Sequence, residues 1–114
     1  MAQTQLVEFI NSDEPILKCP RCGNNNLLQG DATFYERDED DPQTIEISVK
    51  NRSVETTVVE SKDSANPSGR RHGFTMHFHC ETCSSLNERT GTKINDIELQ
   101  IAQHKGRTHV NWQY

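Results

Sequence analysis

Cys19-Pro20-Arg21-Cys22 and Cys80-Glu81-Thr82-Cys83 contain all four cysteines of the chain. Two residues between cysteines let a tight turn point both sulfurs at one ion, while backbone N–H groups of the turn hydrogen-bond the thiolates and spread their charge. Four thiolates in two such turns make one closed tetrahedral metal site. Gly23 follows the first pair, at a position where the turn often needs a positive φ that glycine adopts without steric cost. Ser84 stands at the equivalent position after the second pair and fits it less well. Between the pairs lie 57 residues, Gly23 to His79, against roughly 15 to 20 in a minimal four-cysteine site. A further folded piece is therefore expected inside the metal-binding unit.

Other uses of the cysteines fit their surroundings less well. A thioredoxin-like redox pair runs into a helix, whereas Cys22 is followed by Gly23, Asn24, Asn25 and Asn26, a helix-poor stretch. A secreted disulfide framework calls for a leader, and Met1 to Ile10 holds Glu8 and no basic residue before a long apolar run. A cytoplasmic location is the expectation. Iron in a rubredoxin-like site would use the same four ligands, but the second turn lacks the glycine and proline usual there, so one structural Zn2+ per chain is expected.

Composition makes a stabilising metal useful. Leu, Ile, Val and Phe together number 23 of 114 residues, at the edge of the roughly 20% below which chains tend towards disorder. Such a chain has a thin core. Charge is uneven: residues 1–61 carry 5 basic and 12 acidic side chains, and residues 62–114 carry 7 and 5. The acidic excess is concentrated in Glu36, Asp38, Glu39, Asp40 and Asp41, which reads as a solvated hairpin tip. A calcium loop would need carboxylates at alternate positions, a glycine and a distal Glu, and the run has none of that pattern. A net charge of −5 disfavours indiscriminate phosphate binding.

The pattern along the chain is almost entirely β. Residues 5–17 hold Leu6, Val7, Phe9 and Ile10 and fit a short strand or a helical turn equally. Leu27 to Arg37 reads as a strand. Thr44 to Lys50 alternates, with Ile45, Ile47 and Val49 on one face, and joins Val54 to Glu60 through a tight turn at Asn51-Arg52. Ser61 to Gly73 is polar, with Pro67, Gly69 and Gly73, and reads as an exposed loop. Phe74, Met76, Phe78 and Cys80 share one face of the next strand, with Thr75, His77 and His79 on the other. After a polar connection at Asn87 to Lys93, Ile97, Leu99 and Ile101 form one strand face, and Val110, Trp112 and Tyr114 another. His104-Lys105-Gly106-Arg107 makes the turn between them, with Gly106 at positive φ. The fold class is thus all-β: a small antiparallel sheet of five to six strands in a single domain, residues 1–114.

The arrangement of knuckle, strand, knuckle and hairpin resembles the zinc ribbon superfamily. That resemblance implies a zinc ion held by Cys19, Cys22, Cys80 and Cys83 at one end of an antiparallel sheet. Residues 16–37 and 73–114 would form the ribbon core, and residues 38–72 an inserted acidic loop and β-hairpin. The wider string, including Asn66-Pro67-Ser68-Gly69-Arg70-Arg71-His72-Gly73 and Ile101-Ala102-Gln103-His104-Lys105-Gly106, is similar to a group of small uncharacterised bacterial proteins, which implies no activity.

With all four metal ligands supplied by cysteine, function is expected elsewhere, in a non-catalytic module that binds protein or nucleic acid. Arg70, Arg71, His72, His77, His79, His104, Lys105 and Arg107 are the candidate contacts. The arginines and lysine could meet phosphates, and Trp112 or Tyr114 could stack on a base; Trp112 fits the thin core better. A small metal-dependent enzyme is the alternative, and needs three of the histidines to converge with an open coordination position. Against it, the sequence offers no nucleophile–base pair, no phosphate-cradling loop and no His-Glu metal motif. No membrane span is expected, and exposed sheet edges leave self-association open.

Overall fold

A computed structural model describes Ile10, residues 15–83 and residues 97–114. Six strands, β1 (Leu27–Glu36), β2 (Gln43–Lys50), β3 (Ser53–Glu60), β4 (Gly73–Cys80), β5 (Ile97–His104) and β6 (Arg107–Gln113), form one open antiparallel sheet in the order β3-β2-β1-β4-β5-β6. The expected strands are all present, and the hairpin at 44–60 extends the same sheet beyond β1 rather than forming a separate layer. Polar connection 87–93 and most of 5–17 lie outside the described residues; Ile10 and Leu17 form an isolated bridge.

The two tight turns form where expected, and positive φ extends beyond Gly106 to residues whose type does not predict it. Asn51 and Arg52 both take positive φ, 50° and 67°, as do Lys105 and Gly106 at 52° and 77°. Two consecutive left-handed residues match the twist of a two-residue hairpin, so β2–β3 and β5–β6 are closed by the favoured kind of turn.

Strand β1 carries an irregularity that the sequence pattern does not reveal. Gln29 lies opposite Phe78 and Ala32 opposite Met76, so Gly30 and Asp31 together face His77: a β-bulge. The bulge switches the alternation of β1. Leu27, before it, and Phe34, after it, therefore lie on the same face as Cys80, Phe78, Met76 and Phe74. At Gly30 a side chain would meet the His77 carbonyl oxygen at 3.3 Å, which suits the residue without one.

The two faces of the sheet are covered differently. At the metal end of the apolar face, Cys19, Phe78, Cys80, Cys83, Ile97 and Trp112 form the buried core, with Leu17, Leu27, Met76 and Leu99 packed against it. On the polar face, the connection from β3 to β4 has to cross β2 and β1, and it does so at the distal end, away from the cysteines. There Thr44 and Ser61 hydroxyls meet at 2.8 Å, Ser61 Oγ donates to the Asp41 carbonyl at 2.7 Å, and Ser64 Oγ donates to Glu46 at 2.7 Å. Thr44 is fully buried, and Thr75 and Tyr35 nearly so. Burial and the nearby Glu46 and Glu98 carboxylates push the Tyr35 phenol above its usual pKa, against the opposing effect of the hydrogen bond with Thr75. Among the described residues, no helix is long and apolar enough to cross a membrane.

Candidate metal centre and distal loop

The sheet register brings the two CxxC turns together. Leu27 pairs with Cys80, so the chain leaving the first turn enters β1 beside the strand that ends in the second. The Glu81 N–H donates to the Asn26 carbonyl and ties the two turns across this joint. Within the first turn, Gly23 N–H bonds the Cys19 carbonyl and Cys19 N–H bonds the Asn24 carbonyl, each at 2.8 Å. Gly23 has the expected positive φ, 78°. The N–H of Arg21 points at Cys19 Sγ and that of Asn24 at Cys22 Sγ, both at 3.4 Å. These are the donors that a thiolate pair needs to disperse its charge.

All four sulfurs lie within 4.8 Å of one another. The Cys19–Cys83 separation is 3.9 Å and the Cys22–Cys80 separation 3.6 Å. A tetrahedral centre with metal–sulfur bonds of about 2.3 Å has sulfur–sulfur edges of about 3.8 Å, so the four cysteines fit one ion. None of them is in a disulfide. Burial pushes the Cys83 and Cys22 thiols up. Burial acts the same way on Cys80, but the Cys83 N–H and the neighbouring thiols outweigh it and bring that thiol down.

The other candidate residues divide into two places. Arg70, Arg71, His72, His104, Lys105 and Arg107 gather at the distal end, because the loop before β4 and the β5–β6 turn lie on the same side of the sheet. Glu39, Arg70, Arg71, His104, Lys105 and Gly106 line a cavity of about 230 Å³ there. His77 and His79 lie on β4 with side chains exposed on the face opposite Cys80.

Both arginines of the loop are engaged by the acidic turn between β1 and β2. Arg70 forms a two-pronged pair with Asp40, Nε to Oδ1 at 2.9 Å and Nη2 to Oδ2 at 2.7 Å, and reaches Glu39 at 3.1 Å. Arg71 pairs with Glu39. The Arg70 guanidinium holds the Asp40 carboxyl below its usual range. These ion pairs are exposed, so each contributes little to stability. Their geometric effect is larger: they hold the acidic tip against the loop, assisted by Arg37, which donates to the carbonyls of Asp41 and Gly69 at 2.7 and 2.9 Å.

Serine 68 organises the loop itself. Its side chain is buried, donates to the Gln103 carbonyl at 2.6 Å, and accepts from the N–H groups of Arg70 and Arg71. Asn66 bonds the Ser68 N–H and the Arg71 carbonyl from either end of its amide. The polar composition of this segment marks only an exposed loop and does not single out Ser68, Asn66 or Arg37; the Asn-Pro-Ser-Gly string is the available signal, since Asn and Ser at such spacing bond their own backbone. The loop packs directly on Gly73, where an added Cβ would collide with the Asn66 amide oxygen and lie 2.8 to 2.9 Å from the Pro67 ring. Gly73→Ala should therefore lift the loop off β4 and cost about 1–3 kcal/mol. Hydrogen exchange would show it as faster exchange of the Ser68, Arg70 and Arg71 amides; unchanged exchange would contradict the packing argument.

The histidines do not converge. His77 meets Glu98 at 3.1 Å, His72 Nδ1 accepts from the Arg37 N–H at 3.0 Å, and His104 and His109 stack loosely with ring centres 6.1 Å apart. Among the described residues, the four cysteines are the one group of three or more side chains placed to hold a metal. The chain matches no protein-family model, and neither curated proteins nor solved structures include a match to it.

Proposed function

We propose that the chain is a non-catalytic binding module fastened by one structural zinc ion, and that the distal end is where it meets a protein partner. Four sulfurs within 4.8 Å of one another, two of the separations close to a tetrahedral edge, suit zinc by ligand type and leave no coordination position for substrate. The observation that carries the choice of partner is the mixed charge of the distal cavity. Glu39 stands beside Arg70, Arg71, His104 and Lys105, and Arg70 and Arg71 already face carboxylates. A phosphate backbone rewards cations of one sign, whereas a polypeptide offers donors, acceptors and both charges. Lys105 and Arg107, at the tip of the β5–β6 turn, are the cations best placed to meet an acidic segment of that partner.

Two measurements test the proposal. Fluorescence anisotropy with labelled single- and double-stranded oligonucleotides at low salt is expected to show no saturable binding. Binding that weakens steeply with salt would reassign the distal end to nucleic acid. Cross-linking in cell extract, comparing the wild type with a Lys105→Glu/Arg107→Glu variant, is expected to retain a protein with the former and lose it with the latter. Identical recoveries from both would overturn the distal assignment.

A further inference from the structure

The apolar face is covered at the metal end and open over the hairpin that extends the sheet. Val54 is 69% exposed, Val58 57%, Val49 48%, Phe34 38% and Ile47 36%. These are neighbours on one surface: Phe34 lies opposite Ile47, Val49 opposite Val54, and Ile45 opposite Val58. The patch also contains Ala32 and Thr56 by the same register, and no charged side chain. The polar face of these strands carries the charges, Glu46, Lys50 and Glu55. A sheet with one apolar face normally buries it against a second layer, and among the described residues no strand or helix lies over β2 and β3.

We infer that the second layer is another copy of this chain, packed face to face over β1, β2 and β3 across a two-fold axis. Charge selects the arrangement. At the distal rim of the patch, Glu36 and Glu60 lie on the apolar side, Glu36 opposite Ile45 and Glu60 opposite Gln43. At the other rim stands Arg52, in the β2–β3 turn. A two-fold axis parallel to the strands would stack acidic rim on acidic rim. An axis in the plane of the interface and perpendicular to the strands reverses one sheet, and sets Glu60 of each copy over Arg52 of the other. The valines then interdigitate at the centre at the usual spacing of about 10 Å between packed sheets.

Area sets the strength. Three strands of about eight residues, about 4.8 Å apart, give a flat footprint of roughly 370 Å² per copy. Pleat and side chains raise this towards the roughly 500 Å² per copy that the smallest specific interfaces bury. The dimer should therefore be weak, with a dissociation constant on the order of micromolar. This pairing does not involve the distal cavity, so it stands or falls separately from the protein partner proposed there.

Sedimentation equilibrium of the metal-loaded full chain, from low micromolar to millimolar, reads the result. The wild type should show a reversible monomer–dimer equilibrium, and Val58→Lys should be monomeric throughout with metal content and melting unchanged. If the lysine perturbs folding, Val58→Thr, nearly isosteric, should still weaken the dimer several-fold. Arg52→Glu should weaken it about tenfold, since it places like charges together at two symmetric sites, and adding Glu60→Arg should recover most of that loss. A wild type that stays monomeric to millimolar concentration would overturn the inference. So would a dimer indifferent to Val58 and Arg52, which would place the contact on another surface.

Discussion

Removal of the metal will abolish the folded state of this chain rather than soften it. The reason lies in where the core is. Three of its six buried members, Cys19, Cys80 and Cys83, belong to the four-cysteine cluster positioned to hold a metal, and the other three, Phe78, Ile97 and Trp112, pack against them. Without the ion, four sulfurs remain within 4.8 Å of one another, with nothing to offset their crowding once they ionise. A structural zinc site contributes on the order of 10 kcal/mol of apparent binding free energy, which is folding free energy when no site exists in the unfolded chain. Net stabilities of domains are only about 5–15 kcal/mol. The metal contribution is thus comparable to the whole. Chelation followed by far-ultraviolet circular dichroism should show loss of the β signal and of any cooperative melting, restored by returning the ion. Cys19→Ser and Cys83→Ser should behave like the chelated protein. Acid should act the same way, because the ligands bind as thiolates and protons compete for them, so stability is lost as pH falls. A sharp thermal transition that survived complete metal removal would show that the strands hold themselves together.

The clustering of the four cysteines was readable from sequence because its information is local. CxxC spacing, Gly23 after the first pair, and the turn residues at 51–52 and 105–106 each fix a few dihedral angles without reference to distant parts of the chain. Alternation likewise placed His77 and His79 opposite Cys80. What escaped was non-local. The bulge at Gly30-Asp31 is defined by β4 across from it, so no pattern within β1 announces that Leu27 and Phe34 share a face. The partners of Arg70 and Arg71 sit about thirty residues earlier in the chain, brought near only because the β3–β4 connection crosses over β2 and β1. The sequence pattern offers those arginines as possible phosphate contacts; the fold gives them internal carboxylates first. Ser68 and Thr44 were unmarked for a related reason, since nothing in a polar segment distinguishes a hydroxyl facing water from one that organises a loop.

Trp112→Ala should be the most damaging single substitution outside the metal ligands. Trp112 is 7% exposed although it lies on edge strand β6, and it meets Phe78 edge to face, ring centres 5.7 Å apart at 79°. Leu99 lies opposite it on β5. Its ring therefore closes the core from the side that the strand order leaves open, next to the buried cysteines. Truncating a buried Trp costs about 3–5 kcal/mol through lost burial and the cavity left behind, and this core has few other members to collapse into the space. Tyr114, two residues on and 54% exposed, provides the control, because substitutions at exposed positions usually stay within about 0.5 kcal/mol. Urea unfolding of the metal-loaded variants should separate them clearly, Trp112→Ala losing most of its midpoint and Tyr114→Ala almost none. Metal affinity should fall with Trp112→Ala as well, since part of the binding free energy must then be spent on ordering a looser sheet. Equal midpoints for the two variants would mean that β6 is a dispensable flap, and that the sheet is held by the cysteines alone.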